Sequence, residues 1–166
     1  GTLSYFDPNY NFLGNSIRYA ISSETNEKPD QGYENNLIVA NVSTAFEQYK
    51  DVDISLGLSG SYDDLRTDGS ASDSLKKQAG NFSEIAGNYG VTFDRRDRSF
   101  KPTDGSIISF GQTLPIVADK SFISNTFSSS SYKNLNEDII GAAKVYISTI
   151  NGLGSDDVRL SKRKVL

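Results

Sequence analysis

Seven runs of about ten residues in this chain alternate large apolar with small polar side chains, at a period of two. That alternation is what most constrains the fold. Successive side chains of a strand point to opposite faces, so a period of two puts the apolar set on one face, which no helix does. Residues 52–62 show it most cleanly, with Val52, Ile54, Leu56, Leu58 and Tyr62 on one face and Asp53, Ser55, Gly57, Ser59 and Ser61 on the other. Residues 15–24 place Ile17, Tyr19 and Ile21 opposite Arg18, Ala20 and Ser22, and residues 36–46 align Ile38, Ala40, Val42 and Phe46. Residues 82–93 set Ile85, Tyr89, Val91 and Phe93 against Glu84, Asn88 and Thr92, and residues 106–116 align Ile108, Phe110, Leu114 and Ile116. Residues 139–150 oppose Ala143, Val145 and Ile147 to Lys144 and Tyr146. Residues 121–132 give the weakest run, being rich in serine, and residues 2–6 read as the remnant of an eighth strand.

Composition agrees with an all-β chain. Only 36% of its 166 residues are hydrophobic, fewer than a helical bundle of this size would need, yet nine Tyr and nine Phe recur at regular places and argue against disorder. Cys and His are absent, which removes disulfides, thiolate metal sites, cysteine nucleophiles and the commonest general base. Hydrolytic triads are thereby excluded, and we expect neither an enzyme nor a cofactor. Seventeen basic residues are scattered at a net charge of −4, so no nucleic-acid footprint is expected. Met is also absent. A chain starting at Gly1 without an initiator reads as a processed product or a fragment.

The runs are longer than the ~5–6 residues usual in soluble sheets and near the ~9–11 of a tilted membrane strand. Their polar faces carry mostly Ser, Gly, Asn and Thr. This suits a hydrated lumen backed by a lipid-facing surface, and equally a soluble sheet with one wet face. Connection lengths favour the barrel. Those at 47–51 and 133–138 read as short, and those at 25–35 and 64–81 as long, an alternation typical of up-and-down barrels. Residues 94–105 and 117–120 fit it less well. One helical turn is expected at residues 74–78.

Between two of the runs stands Asp94-Arg95-Arg96-Asp97-Arg98-Ser99-Phe100-Lys101-Pro102-Thr103-Asp104-Gly105. Proline lacks the ladder donor and Asp-Gly favours tight reversal, so this is a hairpin turn, with Pro102 and Gly105 structural. Its arginines and aspartates read either as a network fixing the turn or as a solvated cluster that discourages edge pairing. Asp63, Asp64, Asp68 and Asp73 lack the spacing of a calcium loop. Gly152-Leu153-Gly154 lacks the strand–helix setting of a phosphate site. Tyr19, Tyr62, Tyr89 and Phe93 fit an interfacial aromatic girdle or plain core packing.

The wording of the 94–105 turn, with Asp94, Arg96, Asp97, Phe100, Pro102, Thr103 and Gly105, resembles a barrel turn of the BamA family of outer-membrane protein assembly factors. Three further stretches are similar to alphaproteobacterial members. Phe46-Glu47-Gln48-Tyr49-Lys50 resembles a periplasmic turn, and Gln112-Thr113-Leu114-Pro115-Ile116-Val117 the end of the following strand. Ser155-Asp156-Asp157-Val158-Arg159-Leu160-Ser161-Lys162-Arg163 resembles the segment leading into that family's long loop.

The resemblance implies an antiparallel up-and-down meander of about seven to eight strands, a transmembrane part of a sixteen-stranded barrel. It implies residues 1–166 as a partial barrel domain without POTRA domains, holding roughly the third to tenth strands. The implied parent sits in the bacterial outer membrane and inserts other β-barrel proteins. Its implied partners are outer-membrane lipid, nascent barrel substrates and assembly lipoproteins. Two other classes stay open at this point: a passive pore or two-partner secretion barrel, and a soluble β-sandwich binding module. The isolated segment, with two unpaired edges, is expected to aggregate.

Overall fold

The computed structural model describes residues 1–136 and 138–153. These form one antiparallel sheet of eight strands in the order β1 to β8, each hydrogen-bonded to its neighbours in sequence. The strands are β1 (Thr2–Asp7), β2 (Ser16–Lys28), β3 (Tyr33–Tyr49), β4 (Val52–Thr67), β5 (Gly80–Asp94), β6 (Gly105–Ala118), β7 (Phe122–Asn136) and β8 (Ile139–Gly152). The meander expected from the alternation is present, and the expected remnant is a full strand paired with β2 from Thr2↔Ser22 to Asp7↔Ile17.

Strands β2 to β8 run to 13–17 residues, longer than the alternation suggested. The excess lies mainly at one end. Thr25, Asn26, Glu27 and Lys28 pair with Asn36, Asn35, Glu34 and Tyr33, so the long connection expected at 25–35 is a single 3-10 turn, Pro29–Gln31, closed by Gly32. Polar residues on both faces there hide the period from the sequence while the backbone ladder continues. Gly32 takes φ 68, and a side chain there would strike Asp68, Ser70 and Ala71, which pack over the turn.

Only residues 68–79 form a long connection at this end. They hold the expected helical turn slightly early, as α1 (Asp73–Lys76), where the Ser72 hydroxyl accepts from the Leu75 amide at 3.4 Å. The alternation of long and short connections is therefore weaker than the sequence suggested.

Register assigns the faces. The rows Tyr5–Tyr19–Val42–Leu58 and Ile54–Val91–Phe110–Phe127–Ile147 lie on one apolar face. That face is largely open: Leu58 is 51% exposed, Ile85 51% and Ile147 54%. Buried Asn35, Asp63, Leu65, Ala86 and Phe122 belong to the opposite face, mostly towards the end that carries residues 68–79. A soluble sandwich needs its apolar face covered by a second sheet. The described residues contain a single sheet.

Candidate functional site

Two features of the sheet could act: its pair of dissimilar faces and the charged turn between β5 and β6. Register puts Arg18, Asn41, Ser59, Asn88, Glu84 and Lys144 on the polar face, as the alternation implied. The apolar face carries leucine, isoleucine, valine and aromatic rings in exposed positions. Of the expected girdle aromatics, Phe93 stands one residue from the end of β5, with the Arg95 guanidinium 4.8 Å above its ring. Tyr89 lies further inside the strand, where its hydroxyl donates to Gln112 Oε1 at 3.1 Å.

The turn is built around two aspartates. Asp97 Oδ1 accepts from the amides of Thr103 at 2.9 Å and Asp104 at 3.1 Å, while Oδ2 accepts from the Thr103 hydroxyl at 2.7 Å and Arg98 Nε at 2.9 Å. Bonding to Thr103 first, then to the Asp104 amide, holds the Asp97 carboxyl far below the usual carboxylate range. Asp94 grips Arg96 as a fork, accepting from Nε at 2.8 Å and Nη2 at 2.6 Å. The same contact raises the Arg96 guanidinium further above its ordinary value. Main-chain bonds from Arg95 to the Ser106 carbonyl at 2.8 Å and from Asp97 to the Asp104 carbonyl at 3.1 Å extend the hairpin beyond its strands. Arg96 and Arg98 are thus hydrogen-bonded within the turn, while the Arg95 and Arg98 side chains stay 66% and 60% exposed.

Ties to both neighbours were missing from the sequence reading. Arg95 Nε lies 3.4 Å from Asp51, on the β3–β4 turn, and the Asp94 amide donates to the Asp51 carbonyl at 2.9 Å. On the other side Lys133 Nζ reaches Asp104 at 2.9 Å. The hydrogen bond from the Lys133 ammonium holds the Asp104 carboxyl below its ordinary value. Phe100 takes no part in this network; it is 79% exposed, with Lys101 Nζ 5.5 Å from its ring centre and Lys101 itself at φ 50. Pro102 precedes Thr103 in the turn, and Gly105 opens β6 at φ 94. Asp157, Val158, Arg159, Ser161, Lys162 and Arg163 lie outside the described residues.

The described residues show no group of side chains arranged to hold a metal ion, and no helix long and apolar enough to cross a membrane. The second observation is silent on strands. Residues 1–163 match the model of the Omp85 superfamily domain.

The chain belongs to the Omp85 superfamily.

Among solved structures, this Omp85 domain is similar to the crystal structure of BamA from Haemophilus ducreyi lacking POTRA domains 1–3, at a TM-score of 0.73 and 19% identity. The match covers 95% of this chain and 34% of that one, so the chain spans about a third of the BamA structure. At that identity the likeness establishes the fold: an antiparallel meander matching a portion of a BamA barrel, with its sheet unclosed. A comparison with curated protein sequences finds no match. The uncovered face of this meander is apolar and the opposite face is rich in Ser, Gly and Asn.

Proposed function

We propose that this Omp85 domain is a wall sector of an outer-membrane β-barrel that inserts and folds other β-barrel proteins in the bacterial outer membrane. The observation that carries the reading is the match of residues 1–163 to the Omp85 superfamily domain, supported by the likeness of 95% of the chain to about a third of a BamA structure. Insertion of this kind involves no covalent chemistry. A barrel wall contributes a lipid-facing surface and a wet lumen. The partners on this reading are outer-membrane lipid, nascent barrel proteins and assembly lipoproteins engaged by the longer protein. Residues 1–166 act as a partial barrel domain. The Asp94–Gly105 hairpin faces the periplasm as a structural element, and Asp157, Val158, Arg159, Ser161, Lys162 and Arg163 lead towards the long loop.

Depletion of the full-length protein in its own cells tests this directly. Heat-modifiable, assembled porins should fall in the outer membrane while their unfolded forms accumulate in the periplasm. Unchanged porin assembly, together with a lost conductance or a lost secreted product, would assign the chain to a passive pore or secretion barrel instead.

A further inference from the structure

On the barrel-wall reading proposed above, on which this inference rests, the apolar surface of β5 to β8 faces lipid, yet it carries a polar row across all four strands. Tyr89, Gln112, Asn125 and Thr149 stand directly opposite one another across three strand pairings. Their side chains form a continuous chain of hydrogen bonds. The Tyr89 hydroxyl donates to Gln112 Oε1 at 3.1 Å, Gln112 Nε2 to Asn125 Oδ1 at 2.5 Å, and Asn125 Nδ2 to Thr149 Oγ1 at 3.3 Å. The adjacent row, Val91–Phe110–Phe127–Ile147, is wholly apolar. Continued the other way, the polar row becomes Leu56, Thr44 and Ile17, where the Thr44 hydroxyl is spent on the Ser16 carbonyl at 2.8 Å. The ladder is confined to four strands.

Carboxamides facing hydrocarbon cost free energy, and a lipid surface gives no reason to keep them. β7 supplies the reason. It contains four consecutive serines, Ser128 to Ser131, which face Ser109, Ile108, Ile107 and Ser106 on β6. Such a strand has nearly the same polarity on both faces, so hydrophobic patterning specifies its register weakly. A two-residue slip would preserve every side chain's face and cost little in serine contacts. It would, however, set Asn125 opposite an apolar residue on β6, Phe110 or Leu114, and break the bond between the Gln112 and Asn125 amides, leaving the Gln112 N–H and the Asn125 carbonyl oxygen unpaired in a low-dielectric setting, where such groups are most costly.

We propose that Asn125, held between Gln112 and Thr149, is the register-determining residue of β7, and that the ladder fixes the pairing of β6, β7 and β8.

Cysteine pairs in the full-length protein test this, because the described chain has no cysteine of its own. Ile107→Cys with Ser130→Cys reports the native register, since these residues face each other on the lumen side. Ile107→Cys with Ser128→Cys or with Tyr132→Cys reports a slip of two residues in either direction. With the ladder intact, only the 107–130 pair should cross-link. In Asn125→Leu, and more weakly in Gln112→Leu, a slipped pair should reach at least a tenth of the cross-linked product. Thr149→Val supplies the same reading if a leucine variant fails to assemble. Exclusive 107–130 cross-linking in every assembled variant would overturn the proposal.

Discussion

The α-carbon of Gly105 lies against the main-chain carbonyl of Arg95, so close that a β-carbon at position 105 would overlap it. Gly105 also sits at φ 94, where side chains are rarely tolerated. The Arg95–Ser106 main-chain bond that closes the hairpin depends on this approach. Gly105→Ala is therefore expected to destabilise the barrel by about 1–3 kcal/mol, lowering the temperature at which the folded band disappears on unheated gels. An unchanged transition would mean that the turn relaxes at no cost.

Asp97 gives the turn a pH dependence. Its folded pKa is depressed chiefly by its bonds with Thr103, so it stabilises the fold above the ordinary carboxylate value of about 3.9. That contribution is lost progressively as pH falls below this value. Asp97→Asn should be less stable than the parent at pH 7, and the gap should narrow between pH 4 and lower pH in urea unfolding from detergent. A gap independent of pH would count against the carboxylate as the hub.

The charged contacts of the turn should differ in worth. Lys133 and Asp104 meet with side chains 73% and 50% exposed, so breaking them is expected to change stability little, and less still in high salt. Arg96, held as a fork by Asp94, is only 17% exposed. Asp94→Ala should cost about 1–3 kcal/mol because the guanidinium loses its partner. Chemical unfolding of the two variants side by side checks the order.

The two faces should respond oppositely to charge. Leu58→Arg places a cation on the lipid face and is expected to cost about 2–4 kcal/mol if position 58 lies near the bilayer midplane. Ser55→Arg, on the lumen face of the same strand, should be tolerated and alter only the electrostatics of the lumen. Folding yield into vesicles measures both.

Much of this was legible in the sequence, and the physics explains which parts. β4 starts at Val52 as its alternation indicated, and every residue placed on a face from residues 52–62 lies there. Alternation reports where one face meets an apolar phase, so it ended early at Glu24, where β2 runs on to Lys28 with polar residues on both sides. The pairings of Arg95 with Asp51 and of Asp104 with Lys133 join segments far apart in sequence that only the meander makes adjacent. Gln112, Asn125 and Thr149 stood out in principle as polar residues at apolar parity. Recognising them as a ladder required the register of three strand pairs, which the serine run of β7 conceals.

The central claim is that the uncovered apolar face contacts lipid and the opposite face contacts water. Single cysteines introduced from position 53 to 60 of β4 in the full-length protein, spin-labelled in bilayers, measure it most directly. Ile54, Leu56 and Leu58 positions should be accessible to membrane-dissolved oxygen and shielded from an aqueous nickel chelate, with Asp53, Ser55, Gly57 and Ser59 positions showing the reverse. Loss of the alternation, with both sets equally shielded from oxygen and chelate, would show the apolar face buried against protein and contradict the barrel-wall account.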